Sequence, residues 1–351
     1  MFAPNGFFLR RVRILGAIVA MPLAGPGSGA ATAEAVASKS ETAKSSGTEY
    51  VDARAFARRF GLTTEWTEPQ KKVRLHNART SIELTVDSLD ARIDGVRVFL
   101  GEPAVLRNAS LHLARTDVEA LLTPILAPHP APRPQTLKTI VIDAGHGGND
   151  RGNRNPRLKI AEKDFTLDVA LRLAPLLRRQ GFNVVLTRHD DRRVELDERT
   201  EIAWQARADL FVSIHFNAFT QERVAGTETF VMPPRFQRST PQAETDQALV
   251  ATDFSSNKFD HWNAVLGHQM HRQLTNELKL TDRGLKRFRY RVLCLAQCPA
   301  VLVEAGFLSN DAEGRKISAP EYRQQIAEAI AAGVSAYGAI LAVPTGATPV
   351  Q

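Results

Sequence analysis

The chain has 351 residues, enough for two domains of ordinary size or one large domain with an extension. With 43% apolar and 24% charged residues, its composition excludes a disordered chain. The formal charge of +7 suits an anionic partner such as nucleic acid, a membrane surface or a cell-wall polymer. The basic residues are scattered, however, and no interleaving of aromatic and basic residues indicates a nucleic-acid surface.

The amino terminus has the pattern of an export signal. A basic cluster of Arg10, Arg11 and Arg13 precedes a short apolar core at 14–23, and Ala31-Thr32-Ala33 has the small-x-small form of a cleavage site. The core is too short to span a bilayer comfortably, so an uncleaved anchor is the lesser alternative. We therefore expect an exported protein, periplasmic or extracellular; the arginine pair leaves twin-arginine export open.

Shifts in composition predict the organisation of the chain. The stretch after the signal is rich in Ala, Ser, Thr and Lys, as a flexible tether is, and "APHPAPRPQT" favours an extended polyproline spacer. The predicted segments are an export signal at 1–33, a tether at 34–48, a small α+β module at 49–126, a Pro-rich linker at 127–136, an α/β domain at 137–341 and a disordered tail at 342–351.

Short alternating segments and turn signals define the small module. Asp52 can cap a first helix, and Asp94-Gly95 is a strong hairpin turn. Thr116 and Glu119 form a candidate capping box that opens a last helix, "DVEALLTPIL". The order of these pieces resembles the copper amine oxidase N-terminal-like domain. The name implies no copper here, because His76 and His112 have no other candidate ligands around them.

The second domain alternates strands and helices, which predicts an α/β fold. A strand at 139–143 leads into a glycine loop and then a helix from about Glu162 to Gln180. Three apolar strands place His146, His215 and Glu304 at or near their carboxyl ends, where open α/β sheets bind ligands.

Each of these residues also has a simpler interpretation. A single strand-end histidine is more often hydrogen-bonded than metal-bound, and Glu162 could serve only the dipole of its helix. A glutamate inside "VLVEAGF" is harder to dismiss, since a buried carboxylate must be paired, hydrogen-bonded or functional. Two histidines and a carboxylate match a hydrolytic zinc site that leaves a fourth position open. Taken together, the residues favour a site.

These motifs resemble the zinc-dependent N-acetylmuramoyl-L-alanine amidases, a family of bacterial cell-wall hydrolases. The matching segments occur in order and cover nearly the whole second domain: "IVIDAGHGGNDRGN", "EKDFTLDVALRL", "VVLTRHDD", "ERTEIAWQARADLFVSIHFNA", "GTETF" and "PAVLVEAGFLSN". The resemblance implies a twisted mixed sheet with helices on both faces. It also implies that His146, Glu162 and His215 are zinc ligands and that Glu304 is the catalytic acid/base.

The implied substrate is peptidoglycan, cut between N-acetylmuramic acid and the L-alanine of the stem peptide, in wall remodelling or daughter-cell separation. A zinc peptidase acting on stem peptides and a non-catalytic wall-binding protein are the alternatives. The sequence does not decide whether an activator protein is needed. It gives no reason to expect a nucleic-acid partner, or a stable membrane span after signal cleavage.

Several points stay open at this level. Residues 233–260 could plug the zinc site through Glu244, Asp246 and Asp253, or could form a solvated loop. Asp143 could orient His146 or merely cap the turn. For His268 and His271, an exposed helix face is favoured over a second metal site. For Cys294 and Cys298, a disulfide is about as plausible as a pair of buried thiols.

Overall fold

The structure, a computed structural model, describes residues 48–128, 136–240 and 247–343. The predicted export signal, nearly all of the tether, most of the Pro-rich linker and most of the tail lie outside these residues. The strands are β1 Tyr50–Asp52, β2 Thr63–Glu68, β3 Lys72–His76, β4 Ser81–Thr85, β5 Asp90–Ile93, β6 Val96–Phe99, β7 Val105–Arg107, β8 Ser110–Ala114, β9 Thr139–Ala144, β10 Arg154–Asn155, β11 Ile160–Ala161, β12 Asn183–Leu186, β13 Leu210–Asn217, β14 Thr227–Val231, β15 Asp282–Arg287 and β16 Ala300–Phe307.

The helices lie between and after these strands. The α-helices are α1 Ala53–Arg59, α2 Arg115–Asp117, α3 Thr123–Leu126, α4 Glu162–Arg179, α5 Leu196–Gln205, α6 Gln247–Ala251, α7 Asp260–Leu278, α8 Arg291–Leu295, α9 Asp311–Ser318 and α10 Pro320–Ala342. A π-helical turn, Val118–Leu122, joins α2 to α3, and a 3-10 turn, Ser255–Phe259, precedes α7.

One large mixed sheet organises the described residues. Its strand order is β12-β9-β13-β16-β14-β15-β6-β5-β4-β3-β2, with β12, β9, β13 and β16 parallel to one another and β14 antiparallel to β16. The central strands are apolar runs because both of their faces are covered; Ile140, Val141 and Ile142 have no exposed surface.

Helices cover both faces of the second domain. The larger core packs α4, α7 and α10 against one face, and a smaller core packs α5 and α8 against the other. Among the described helices, Pro320–Ala342 alone is long and apolar enough to cross a membrane, and it packs against α4 and α7. The predicted fold, a twisted mixed sheet flanked by helices and preceded by a small α+β module, is confirmed.

The small module shares this sheet with the second domain. Its strand β6 pairs in parallel with β15, with Val98 opposite Leu285. Arg97 N also donates to Asp282 Oδ2 at 2.9 Å. The described residues therefore belong to one compact unit. The boundaries at 126 and 137 stay predictions.

The helical end of the module differs from its sequence prediction. The cap of α1 is as expected, since Ala55 N donates to Asp52 Oδ1 at 2.8 Å. The Thr116 capping box is wrong, because the helical segment already begins at Arg115 with Ala114 as an N-cap that makes no side-chain bond. Asp117, within that segment, is instead fully buried at the contact between module and second domain.

Asp117 forms a buried ion pair with Arg287 across that contact. It accepts hydrogen bonds from the Gly101 and Glu102 amides at 2.8 and 3.0 Å. From the second domain, Gln237 Nε2 donates to it at 2.9 Å and the Arg287 guanidinium donates at 2.5 Å. Arg287 is 2% exposed, so its charge has little access to water.

We expect Asp117→Ala to destabilise the protein by about 3–5 kcal/mol, because it leaves the Arg287 charge buried without its partner. Equilibrium denaturation of the full chain measures the loss. Glu119→Ala is the matched control: Glu119 is an exposed acid two residues away, and its removal should cost less than about 0.5 kcal/mol. Equal losses in the two variants would contradict the assignment.

Candidate metal centre

His146 stands in the loop that leaves β9. Its backbone is left-handed, with φ at 62°, an uncommon conformation for a residue other than glycine. Two contacts hold it: Asp150 Oδ2 lies 2.9 Å from Nδ1, and Arg199 donates to the His146 carbonyl at 2.9 Å. Because Asp150 occupies Nδ1, Nε2 is left to face the site.

Two buried arginines fix the path of this loop. Arg188 donates to the Ala144 and Gly145 carbonyls, both at 2.9 Å. Arg199 donates to the carbonyl of Ala144 at 2.8 Å and to Asp143 Oδ1 at 2.7 Å. Satisfied backbone carbonyls in a buried loop leave little freedom to move, which holds the histidine in place.

Glu162 is the first residue of α4 and is fully buried. Its Oε2 lies 3.1 Å from His146 Nε2, and its Oε1 lies 2.8 Å from His215 Nδ1. The amides of Asn153 and Phe216 donate to the same two oxygens at 2.7 and 3.0 Å. Burial raises the pKa of Glu162, but the bonds to the two histidines outweigh it and the pKa is lowered.

His215 and Glu304 are neighbours across two parallel strands. His215 on β13 stands opposite Glu304 on β16, in the carboxyl-terminal half of each strand. The rings of His146 and His215 lie edge to face with centroids 4.9 Å apart. The four predicted site residues therefore converge at one end of the sheet.

The donor atoms of His146, Glu162 and His215 all lie within 4.8 Å of one another. Zinc binds nitrogen and oxygen ligands at about 2.0–2.2 Å in a tetrahedron, which places ligand atoms about 3–3.5 Å apart. The two Glu162–histidine distances are near that range, and the histidine side chains are 23% and 19% exposed. The three donors thus fit a metal ion, and the partial exposure of the two histidines lets a molecule from solvent reach that ion.

Glycines make the close approach possible. A β-carbon at Gly145 would lie 2.3 Å from the His215 ring. At Gly152, where φ is +62°, it would lie 2.5 Å from the His146 ring and 2.6 Å from Glu162 Oε2. Larger residues at either position would push the ligands apart.

The environment of Glu304 is unlike that of Glu162. Glu304 is 7% exposed, and its Oε2 has no hydrogen-bond partner among the described residues. Burial, followed by the nearby charges of Glu162 and Glu228, raises the pKa of its carboxyl well above the ordinary value. The raised pKa favours the protonated form of this carboxyl, the form that a general acid needs when it gives up its proton.

Glu228 lies directly opposite Glu304, on β14. It accepts from Lys286 Nζ at 2.6 Å, from Arg283 Nε at 2.8 Å and from Asn217 Nδ2 at 3.0 Å. Glu228 is therefore paired and satisfied, whereas Glu304 is not, which leaves Glu304 as the carboxyl free to react.

The structure favours neither interpretation of Asp143. Asp143 does not contact the His146 side chain; it accepts from Thr187, Arg199 and Ser213 at 2.7–2.8 Å. The carboxylate that orients His146 is Asp150, which the sequence reading missed. Its position four residues after His146 in "GHGGND" is the only signal that could have suggested it.

Residues 233–240, the first described part of 233–260, lie away from the metal group. Strand β14 runs antiparallel to β16, so the chain beyond Val231 runs away from the end of the sheet at which Glu304 lies. Residues 233–240 instead contact the far end of β15, where Thr240 N donates to the Arg287 carbonyl at 2.8 Å. Glu244 and Asp246 lie outside the described residues, and a plug formed by them stays a prediction.

The expected exposed face at His268 and His271 is wrong. His268 is 3% exposed and His271 not at all, because α7 is covered by the sheet, by α10 and by the small module. His271 lies 2.9 Å from both Thr229 Oγ1 and Asp282 Oδ1. In the part of the chain that the structure describes, neither histidine joins a metal-binding group. Cys294 and Cys298 are buried and are not joined in a disulfide.

The profile of the N-acetylmuramoyl-L-alanine amidase family matches residues 140–336, more than half of the chain. This chain belongs to that amidase family. The profile of the copper amine oxidase N-terminal domain matches residues 32–119.

Similar proteins come from several bacteria. The chain is 37% identical over 207 residues to the uncharacterized protein YqiI of Bacillus subtilis, covering 59% of this chain and 88% of that protein. It is 33% identical to the amidase AmiC of Escherichia coli, covering 58% of this chain and 54% of that one. The catalytic domain of CwlV, an amidase of Bacillus (Paenibacillus) polymyxa, is similar at 32% identity and a TM-score of 0.47, covering 57% and 98%.

Proposed function

We propose that this chain is a zinc-dependent amidase that hydrolyses the bond between N-acetylmuramic acid and the L-alanine of peptidoglycan stem peptides. The observation that carries the proposal is the convergence of His146, Glu162 and His215 beside the unpaired carboxyl of Glu304. Membership of the amidase family supports the substrate, and the relatives AmiC and AmiA of Escherichia coli carry the name of that activity.

His146, Glu162 and His215 are the residues proposed to hold zinc. When bound, zinc supplies Lewis acidity, which polarises a carbonyl group and lowers the pKa of water to about 7. Asp150 keeps His146 Nδ1 engaged, and the amides of Asn153 and Phe216 hold the Glu162 carboxylate in place. These contacts would orient the three side chains toward a bound ion.

Glu304 is proposed to move the protons. It accepts a proton from the attacking water and gives it to the amide nitrogen, which leaves as the amino group of L-alanine. A buried carboxyl with a raised pKa suits this exchange, because the raised pKa makes it a stronger proton acceptor than an ordinary carboxylate.

The substrate lies outside the cytoplasm, which agrees with the export signal predicted at 1–33. We infer a periplasmic or extracellular enzyme that acts in wall remodelling or daughter-cell separation.

Digestion of purified sacculi should release new L-alanine amino termini and leave long glycan strands intact. The glycan stays uncut because glycosidases use paired carboxyl groups that flank a sugar bond, and Glu228, the carboxylate opposite Glu304, is already engaged by three donors. End-group labelling followed by mass analysis of the products measures the outcome. New termini within the stem or cross-bridge would indicate a zinc peptidase, and no new termini would indicate a non-catalytic wall-binding protein.

A further inference from the structure

The face of the sheet that carries the candidate site continues beyond it. Residues paired across adjacent strands point to the same face of a sheet. His215, Glu304 and Glu228 are paired in turn, and two residues further along β14 Phe230 is paired with Lys286. The site and the side chain of Lys286 therefore share one face.

The same face extends onto the small module. Val98 and Leu285 are paired and point into the larger core, so Phe99 and Lys286 both point the other way. Lys286 Nζ lies 5.6 Å from the Phe99 ring of the module and 5.7 Å from the Phe230 ring of the second domain. Its ammonium group is therefore within cation–π distance of one aromatic ring from each part. From there one row of paired residues crosses β6 to β2: Arg97, Arg92, Glu83, Arg74 and Glu65.

This part of the face is open to solvent. In the module, Val73, Leu84 and Ala91 point into the core on the opposite side, which α1 covers. On the near side the charged row is exposed or half-buried, and a depression of about 440 Å³ lies between β2 and β5. We call the exposed side of β2–β6 the open face.

Charges of both signs alternate on the open face. Arg74 pairs with Glu65 at 2.6 Å, and Lys72 pairs with Glu68. These side chains are 40–48% exposed, and ion pairs so exposed contribute little stability. They can therefore exchange one partner for another at low cost. A ligand that carries both carboxylate and ammonium groups matches such a surface better than a purely anionic polymer or membrane does.

We propose that the open face binds peptidoglycan, through the mixed charges of its stem peptides, as an extension of the active site. This inference rests on the proposed function. Strands in a sheet lie about 4.8 Å apart, so β3 is about 29 Å from β16, six strand positions away. A polymer can occupy both places at once, whereas a single muramoyl peptide cannot.

The test variant is Lys72→Ala/Arg74→Ala in the full chain. Both residues lie at least two strands from β6, away from the contact with the second domain. The matched control is Arg54→Ala/Arg179→Ala, which removes two exposed positive charges from α1 and α4 on the opposite face. Sedimentation with purified sacculi gives the dissociation constant, measured in a Glu304→Gln background so that nothing is digested.

We expect the dissociation constant for sacculi to rise about tenfold in the test variant and to stay unchanged in the control. With Glu304 restored, the ratio of kcat/KM on sacculi to kcat/KM on one soluble muramoyl peptide should fall by a similar factor. Equal binding in test variant and control overturns the proposal, as does an unchanged ratio. If the test variant melts at a lower temperature than the control, Lys72→Gln/Arg74→Gln replaces it in the same two measurements.

Failure of the proposed function has a different signature. A protein that binds sacculi through the open face but frees no L-alanine termini contradicts the amidase assignment and not the binding surface. A protein that frees L-alanine termini with equal ratios for all variants contradicts the binding surface and not the amidase.

Discussion

Replacing His146 or His215 by Ala is expected to abolish both zinc binding and amide hydrolysis. Hydrolytic zinc sites use three protein ligands, and each histidine supplies one of three donors around Glu162. Removing one leaves two donors and also takes away one of the two histidine partners of Glu162. Zinc per chain, measured by elemental analysis of purified protein, should fall to background together with the release of L-alanine termini.

His189→Ala is the matched control for these variants. The His189 side chain is 77% exposed and lies outside the metal group, so zinc content and activity should be unchanged. Because His146 has left-handed backbone, His146→Asn serves as a second variant that tolerates this conformation. Full zinc occupancy in the His146 or His215 variants would exclude these residues as ligands.

The convergence of the four site residues was predictable from local sequence. Apolar runs ending in His146, His215 and Glu304 indicate parallel strands, and parallel strands bring their carboxyl ends to one edge. Glu162 could be added because it opens the helix that follows the glycine loop. The bounds of β9 and α4 agree with the prediction to within about one residue.

The contacts that support the site were not predictable in the same way. Asp150 reaches His146 only because the intervening glycines adopt positive φ, which a sequence pattern does not specify. Arg188 and Arg199 look like surface residues by type, yet both are almost fully buried because the loop carbonyls need donors. Burial of polar groups depends on three-dimensional neighbours rather than on residue type.

Long-range pairing explains the remaining differences. The contact between β6 and β15 pairs Val98 with Leu285. These residues are so far apart in the sequence that no local pattern predicts their pairing. The same contact buries His268 and His271, since α7 packs under both the module and the second domain. A proline-rich spacer predicts two separately patterned units, but it does not tell whether their strands share a sheet.

Glu304→Gln should slow hydrolysis by about 10²–10⁴-fold while zinc remains bound, because Glu304 is a proton carrier and not a member of the metal group. Gln has nearly the same volume, and its side chain stays neutral. Burial and the charges of Glu162 and Glu228 already favour a neutral side chain at this position, so the fold should tolerate the change. Turnover on sacculi, zinc content and the melting temperature are measured on the same preparation.

The result separates chemistry from binding. If Glu304 transfers the proton, kcat falls and the dissociation constant for sacculi stays near that of the unchanged protein, since an acid/base interaction is made mainly in the transition state. Glu321→Gln, an exposed change at the start of α10, controls for the loss of one carboxylate. Near-normal turnover in Glu304→Gln would assign the proton transfer to another group. Loss of zinc in that variant would instead make Glu304 part of the metal site.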